Sequence, residues 1–341
     1  MRSNAKTPYH YIQSEILSLL GSDDLFSKAK QQPTRYAYAE TLLELGEKNP
    51  DVVVLDADVS KSVGTNKFAQ KFPDRSFNFG IAEQNMMAAA AGMATTGLIP
   101  FATTYAVFAS MRALDQVRNS IHYPRLNVKI AASHSGITPG PDGVTHQGQE
   151  DLSILRAIAY STVIAPADPV TTKLAVLAAA EWNGPVYLSF TRDPVPLLYD
   201  SEYPFKIGKA VTVRDGADAT IIANRDLVVQ SLIAAEQLTK KGVDVRVIDC
   251  HTLKPLDVEA VLRAAKETGA IVTAENNVFY GGLGSAVAEV LVENHPIPMK
   301  RIGIRDTFTE SAPYLDLLKK YGLSADHIAQ AVEEVLQRKR R

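Results

Sequence analysis

The sequence predicts an α/β protein made of two consecutive doubly wound domains with parallel or mostly parallel sheets. Two observations carry this. Strand-length apolar runs alternate with longer helix-patterned stretches along nearly the whole chain, as βαβ units do. At 341 residues there is room for two domains of the usual ~100–200 residues each. The alternation is interrupted at residues 194–206 by Pro194, Pro196 and Pro204, which read as a linker. The expected division is an N-terminal helical extension over 1–33, a first domain over 34–203 and a second over 204–341.

In order, Tyr11, Ile12, Ile16, Leu17 and Leu20 have helical spacing and predict a short amphipathic helix packed on the body of the protein or on a partner. Pro33-Thr34-Arg35 opens the next helix. "DVVVLDAD" over 51–58 reads as a buried parallel strand, with the 58–62 loop at its C-terminal end, where ligands collect in open α/β sheets. A strand over 75–79 runs through a Gly turn into a helix with Glu83 in its first turn, where a carboxylate is favoured by the helix N-terminus. A strand turning into a helix follows over 98–121. Tyr105 and Phe108, three apart at that helix start, share a face. "LNVKIAASH" is a strand ending at His134. Residues 135–149, "SGITPGPDGVTHQGQ", are too polar and too rich in Gly and Pro for a regular element, so they form a long loop at a strand end. A helix over 150–159, a strand over 161–168, a helix over 168–183 capped by Asp168-Pro169 and a strand over 184–190 complete the first domain. The second repeats the alternation, with strands near 217–224, 243–250, 270–276 and 299–306 and helices over 226–241, 257–268, 284–294, 314–321 and 325–337. "GGLGSA" at 281–286 is read as close helix–sheet packing, since no early strand-turn-helix with a ribose-binding acid accompanies it.

Composition narrows the function. A formal net charge of −2 gives no electrostatic case for nucleic acid or an anionic membrane. Cys250 is the only cysteine, so an internal disulfide is impossible, which suits a reducing cytoplasm. No apolar run reaches membrane-spanning length, and the first residues lack an apolar signal core.

"NFGIAEQNM" around Glu83, followed by His134 and then Asp142-Gly-Val-Thr-His146-Gln147, resembles the transketolase family of thiamine-diphosphate enzymes. The resemblance runs from about Pro33 to the end and follows the C-terminal half of transketolase, as found where the enzyme is split into two polypeptides. It implies a pyrimidine-binding domain followed by the transketolase C-terminal domain. By that resemblance Glu83 hydrogen-bonds a ring nitrogen of the cofactor's aminopyrimidine and promotes removal of the thiazolium proton. Such a charged bond is strong in a water-poor cleft. Tyr105 and Phe108 enclose the ring, with Met111 where relatives often carry a third aromatic, and Asp58 lies near the cofactor and the substrate channel. His134 helps bind the acceptor's phosphate, Asp142 contacts a sugar hydroxyl, and His146 stands at the donor's first hydroxyl close to the cofactor's amine. Arg35, Ser62 and Arg192 hold the sugar phosphate, a task suited to guanidinium forks.

The family's Gly-Asp-Gly…Asn motif, which holds the divalent cation on the cofactor's diphosphate, is absent: Asp142-Gly143 and Asp215-Gly216 lack its context. No metal ligand is therefore assigned. Thiamine diphosphate is expected to be shared at a subunit interface, with Mg2+ or Ca2+ held mainly by an N-terminal partner subunit, in an assembly with two copies of each chain. The implied activity is transfer of a two-carbon ketol unit from a ketose phosphate to an aldose phosphate, active only with the partner. Rival readings are a split transketolase acting on a modified sugar, a deoxyxylulose-phosphate synthase, an oxo-acid dehydrogenase beta subunit, and a regulatory subunit that keeps the fold. Two departures, Ala223-Asn224-Arg225 for the family's "ATG" and Glu275-Asn276-Asn277-Val278 for "EEHN", are expected to lie away from the chemistry and to alter domain or partner contacts.

Overall fold

A computed structural model describes residues 8–22 and 24–339. Its strands are β1 (Gln31–Gln32), β2 (Val52–Asp56), β3 (Ser76–Asn78), β4 (Ile99–Tyr105), β5 (Lys129–Ser133), β6 (Thr162–Ile164), β7 (Val186–Ser189) and β8 (Val195–Pro196). They continue as β9 (Val211–Arg214), β10 (Ala219–Ala223), β11 (Val245–Asp249), β12 (Thr252–Lys254), β13 (Ile271–Val278) and β14 (Met299–Ile304). The first large sheet has the order β12-β6-β7-β5-β4-β2-β3 and the second β14-β13-β10-β11-β9. Each is parallel except for one antiparallel edge strand, β12 in the first and β9 in the second. The fold is thus α/β with two mostly parallel sheets.

The strands explain the layering. Every residue of β2, β5 and β7 is buried, so helices must cover both faces of that sheet. The helices Thr34–Lys48 and Pro169–Glu181 cover one face through Tyr38, Leu42, Ala175 and Val176, which share a core cluster with Val52, Val54 and Leu188 of the sheet. Glu83–Ala94 covers the other through the flexible Met86 and Met87 and the small Ala90, buried in one cluster with Val53, Leu55 and Ala102. Asp168 caps Pro169–Glu181 as expected: its Oδ1 accepts from Thr171 N at 2.8 Å in a capping box. Its Oδ2 accepts from Leu198 N and Tyr199 N, both at 3.0 Å.

Several expectations are corrected. Tyr11 and Ile12 lie outside any helix, with Tyr11 at φ +62; the helices there are Ser14–Leu19 and Leu25–Lys28. Ile12, Ile16 and Leu25 are buried in the core of the second domain; residues 1–7 lie outside the described residues. The 194–206 segment is an integrated part of the fold. It contributes β8 to a two-stranded pairing with β1, and it buries Leu198, Tyr199 and Tyr203. β12 follows β11 in the chain yet extends the first sheet, so the two domains are stitched together. The helix expected after β4 is broken: π-helical segments Phe108–Arg112 and Val117–His122 flank a short helix, Leu114–Gln116. Tyr105 accordingly ends a strand and does not start a helix. No described helix is long and apolar enough to cross a membrane.

Candidate active site

Glu83 is the first residue of its helix and is 1% exposed. The approach is set by Gly80, at φ +69, whose N–H bonds Asn78 Oδ1 at 2.8 Å. Thr104 Oγ1, from β4, donates to Glu83 Oε1 at 3.4 Å. Arg112 Nη1 reaches Oε1 at 3.1 Å and Oε2 at 3.0 Å. A buried carboxylate is costly without a partner; here a guanidinium and a helix N-terminus offset that cost. The Arg112 guanidinium also lies 4.1 Å from the centre of the Phe108 ring. Arg112 escaped the sequence reading. Its signal was proximity to Phe108 and Met111, but the π-helical turn that points it at Glu83 has no readable pattern.

Tyr105 and Phe108 stack with ring centres 5.7 Å apart. Tyr105 stacks on His134 at 3.7 Å, and the His146 ring stands 5.7 Å from Phe108 and 6.0 Å from Tyr105. The two histidines of the motif therefore converge on the two aromatics. Met111 is 41% exposed, and the residue over Phe108 is Arg112. The third wall expected from Met111 is thus not formed within the described chain. Asp58, at φ +63, is exposed and accepts from Asn78 Nδ2 at 3.3 Å.

A polar cluster adjoins the rings. Arg35 Nη1 lies 3.3 Å from Ser62 Oγ and 3.3 Å from His134 Nε2. Ser62 is brought there by Asp56, whose Oδ1 accepts from Val59 N at 2.8 Å and Ser60 N at 3.2 Å. Asp142 Oδ2 stands 4.0 Å from His134 Nε2 and 3.2 Å from Arg192 Nε. Arg192 also pairs with Asp193 at 2.8 Å. Burial, with Arg35, Arg192 and His146 nearby, pushes His134 down to about 2, so its imidazole is neutral at any working pH. His134 is itself left-handed, at φ +65, at the head of the 135–149 loop. All the substrate candidates, Arg35, Ser62, His134, Asp142, His146 and Arg192, meet at the C-terminal end of the first sheet.

The loop carrying Asp142 and His146 is held by the second domain: the two sequence departures make domain contacts, as expected, but one of them reaches the loop that carries site residues. Asn276 Oδ1 accepts from Ile137 N at 3.0 Å, and Arg225 Nη1 donates to Ser189 Oγ at 2.9 Å. Gln147 Nε2 donates to the Glu310 carbonyl at 3.1 Å. Gly282 and Gly284, by contrast, are packing glycines as read: an added Cβ would fall 2.0 Å from Glu275 Oε2 and 2.8 Å from Arg301 Cδ respectively.

An acidic side chain beside a short aromatic wall is the donor set of a site for a flat, nitrogen-containing ring, and a cluster of guanidinium, imidazole and hydroxyl groups is that of a phosphorylated polyol. This arrangement sits on two doubly wound, mostly parallel sheets, an α/β architecture. The comparisons with known proteins are specific. Residues 30–196 match the family "Transketolase, pyrimidine binding domain" and residues 208–328 "Transketolase, C-terminal domain". The chain is 45% identical to a putative transketolase C-terminal section of Methanocaldococcus jannaschii, over 89% of this chain and 96% of that one. It is 43% identical to a 6-deoxy-6-sulfo-D-fructose transketolase subunit of a Clostridium species, over 92% of this chain and 97% of that one. The solved structure of a split gene transketolase, an inactive beta4 tetramer, matches at 48% identity with a TM-score of 0.85, over 90% of this chain and 99% of that one. The chain belongs to the transketolase family.

That family implies thiamine diphosphate. The Glu83, Tyr105 and Phe108 group fits its aminopyrimidine ring in donor type and shape. For the diphosphate end, no group of three or more His, Cys, Asp or Glu side chains among the described residues is placed to hold a metal ion.

Proposed function

We propose that this chain is the C-terminal subunit of a thiamine-diphosphate-dependent transketolase, moving a two-carbon ketol unit from a ketose phosphate to an aldose phosphate together with an N-terminal subunit. The observation that carries the reading is the convergence of Phe108, His134 and His146 about the Tyr105 ring, with Glu83 joined to Phe108 through Arg112 and Arg35, Asp142 and Arg192 grouped around His134. When bound, the cofactor supplies the nucleophilic carbon and stores the electron pair during carbon–carbon cleavage. Glu83 accepts from or shares a proton with the ring nitrogen, while Tyr105 and Phe108 hold the ring flat. His146, whose imidazole can both donate and accept, moves a proton at the donor's hydroxyl. Asp142 accepts from a sugar hydroxyl. Arg35, Arg192 and Ser62 bind the phosphate, with neutral His134 beside Arg35 helping to form the site.

The partner brings the diphosphate and the Mg2+ or Ca2+ site, and self-association forms an assembly of two copies of each chain in the cytoplasm. Support comes from the absence of a Gly-Asp-Gly…Asn motif in this sequence and from the similar beta4 tetramer, described as inactive. Asp58 and Met111 face outward and are suited to complete the cofactor pocket against that partner. A modified sugar is a second reading of the substrate, favoured by the sulfofructose relative. The test is calorimetry of thiamine diphosphate binding, followed by a ketol-transfer assay against ordinary and modified ketose phosphates. Binding and turnover are expected for the reconstituted pair alone. Micromolar binding by the lone chain, or no turnover of any ketose phosphate by the pair, contradicts the reading.

A further inference from the structure

We propose that Asn276, oriented by Asp226 and backed by Arg225, is a positioning residue for the substrate loop, so that the second domain sets the affinity for the sugar although it touches no substrate. The inference rests on the ketol-transfer reading for its kinetic arm only.

Two buried residues of the second domain, Asn276 and Arg225, reach into the first. Asn276 is fully buried in β13. Its Oδ1 accepts from Ile137 N at 3.0 Å, and its Nδ2 donates to Asp226 Oδ2 at 2.9 Å. Both ends of the amide are used, so its orientation is fixed. Gly136, at φ +57, lets the loop come that close: an added Cβ would lie 2.4 Å from Asn276 O and Oδ1. Ile137 is three residues after His134 and five before Asp142, so this one contact registers both. Arg225, left-handed at φ +49 and buried, donates to the Asn276 carbonyl and to Ser189 Oγ. Ser189 Oγ in turn lies 2.7 Å from Ser135 Oγ and 2.8 Å from Asp151 Oδ2. Tyr314 OH donates to Asp226. Buried polar groups in such a chain are costly to leave half-satisfied, so the network favours one loop geometry. A simple packing role would need apolar side chains here; Asn276 and Arg225, one from each of the two sequence departures, are both polar.

Removing the Asn276 amide leaves Ile137 N buried and unpaired, at a cost of order 1–3 kcal/mol, or about 10-fold or more in loop opening. The experiment uses Asn276→Ala, the milder Asn276→Ser, and the exchange pair Asn276→Asp with Asp226→Asn. In the exchange pair a carboxylate at 276 still accepts from Ile137 N, and an amide at 226 still donates to it. Hydrogen exchange of the full chain is expected to speed up about 10-fold across 135–149 in the single variants, with the Glu83 helix unchanged, and to return to normal in the exchange pair. In the reconstituted enzyme, KM for both sugar phosphates is expected to rise about 10-fold with thiamine diphosphate affinity unchanged, again with recovery in the exchange pair. Unaltered exchange across 135–149, or unaltered KM in a pair that turns over, overturns the proposal. Absence of turnover in the unmodified pair overturns the ketol-transfer reading and leaves the exchange arm to decide this one.

Discussion

Arg112 and Glu83 form a two-point ion pair at 3.0 and 3.1 Å, and the same guanidinium rests against the Phe108 ring. A flat cation that donates hydrogen bonds therefore occupies the place between carboxylate and aromatic face that a flat heterocycle would take. To bond a ring nitrogen, Glu83 has to give up part of this pairing. Replacement of Arg112 by Gln is expected to destabilise the lone chain by roughly 1–3 kcal/mol, because a buried acceptor loses its charged partner. The same change should tighten cofactor binding by the reconstituted pair, because nothing is displaced. Thermal unfolding of the chain and calorimetry of the pair check the two arms; weaker cofactor binding would mean that Arg112 helps hold the ring.

Phosphate recognition should depend on the guanidinium groups. Arg192 is partly exposed at the strand end and shared between Asp142 and Asp193. Arg192→Ala is expected to raise KM for phosphorylated sugars about 10- to 100-fold, the worth of a charged hydrogen bond of ~1.5–3 kcal/mol. KM for the corresponding unphosphorylated sugars should stay unchanged. Steady-state kinetics on matched pairs of substrates reads the difference.

His134 should not titrate at working pH. Burial first, and the neighbouring cations next, push it down to about 2. Its ring signals in an NMR titration of the chain are expected to stay constant between pH 5 and 9. A midpoint near the ordinary histidine value would show that the imidazole is protonated in place and contributes charge to the phosphate site.

Stability should fall as pH rises through neutrality. Burial pushes Asp249 up from 3.8 to about 7, although Tyr199 OH and Tyr203 OH donate to it at 2.7 and 2.9 Å. A folded-state value above the unfolded one means that the native chain holds the proton more tightly. The stabilisation is then complete below 3.8 and is lost as pH climbs to about 7. Asp168 and Glu275, raised by burial to about 6 and about 7, act in the same direction. Asp249→Asn keeps an acceptor for both tyrosines, so the decline in melting temperature between pH 4 and about 7 should become shallower than in the unmodified chain.

The parallel architecture was legible because fully buried strands read as short apolar runs, Val52 to Leu55 in β2 and Ile130 to Ala132 in β5, and the helices between them keep their period. The site was legible where residue order carries it: Glu83 at a helix start, and His134, Asp142 and His146 around a Gly-rich loop. Edge strands β9 and β12 were not, since a three- or four-residue antiparallel strand leaves no local periodicity, and β12 moreover pairs across the domain boundary. Arg112 was hidden by a π-helical turn, which shifts every later side chain off the helical period. Asn276 and Arg225 were read as departures affecting domain contacts, but their link to the substrate loop was not, because long-range contacts across two domains are set by tertiary packing and not by spacing along the chain.

The most direct measurement is ketol transfer and cofactor binding by the reconstituted pair carrying Glu83→Ala. The account predicts a loss of about 10²–10³ or more in kcat, the scale of removing one preorganised charged contact, with the chain still assembling with its partner. Turnover equal to that of the unmodified pair would contradict it.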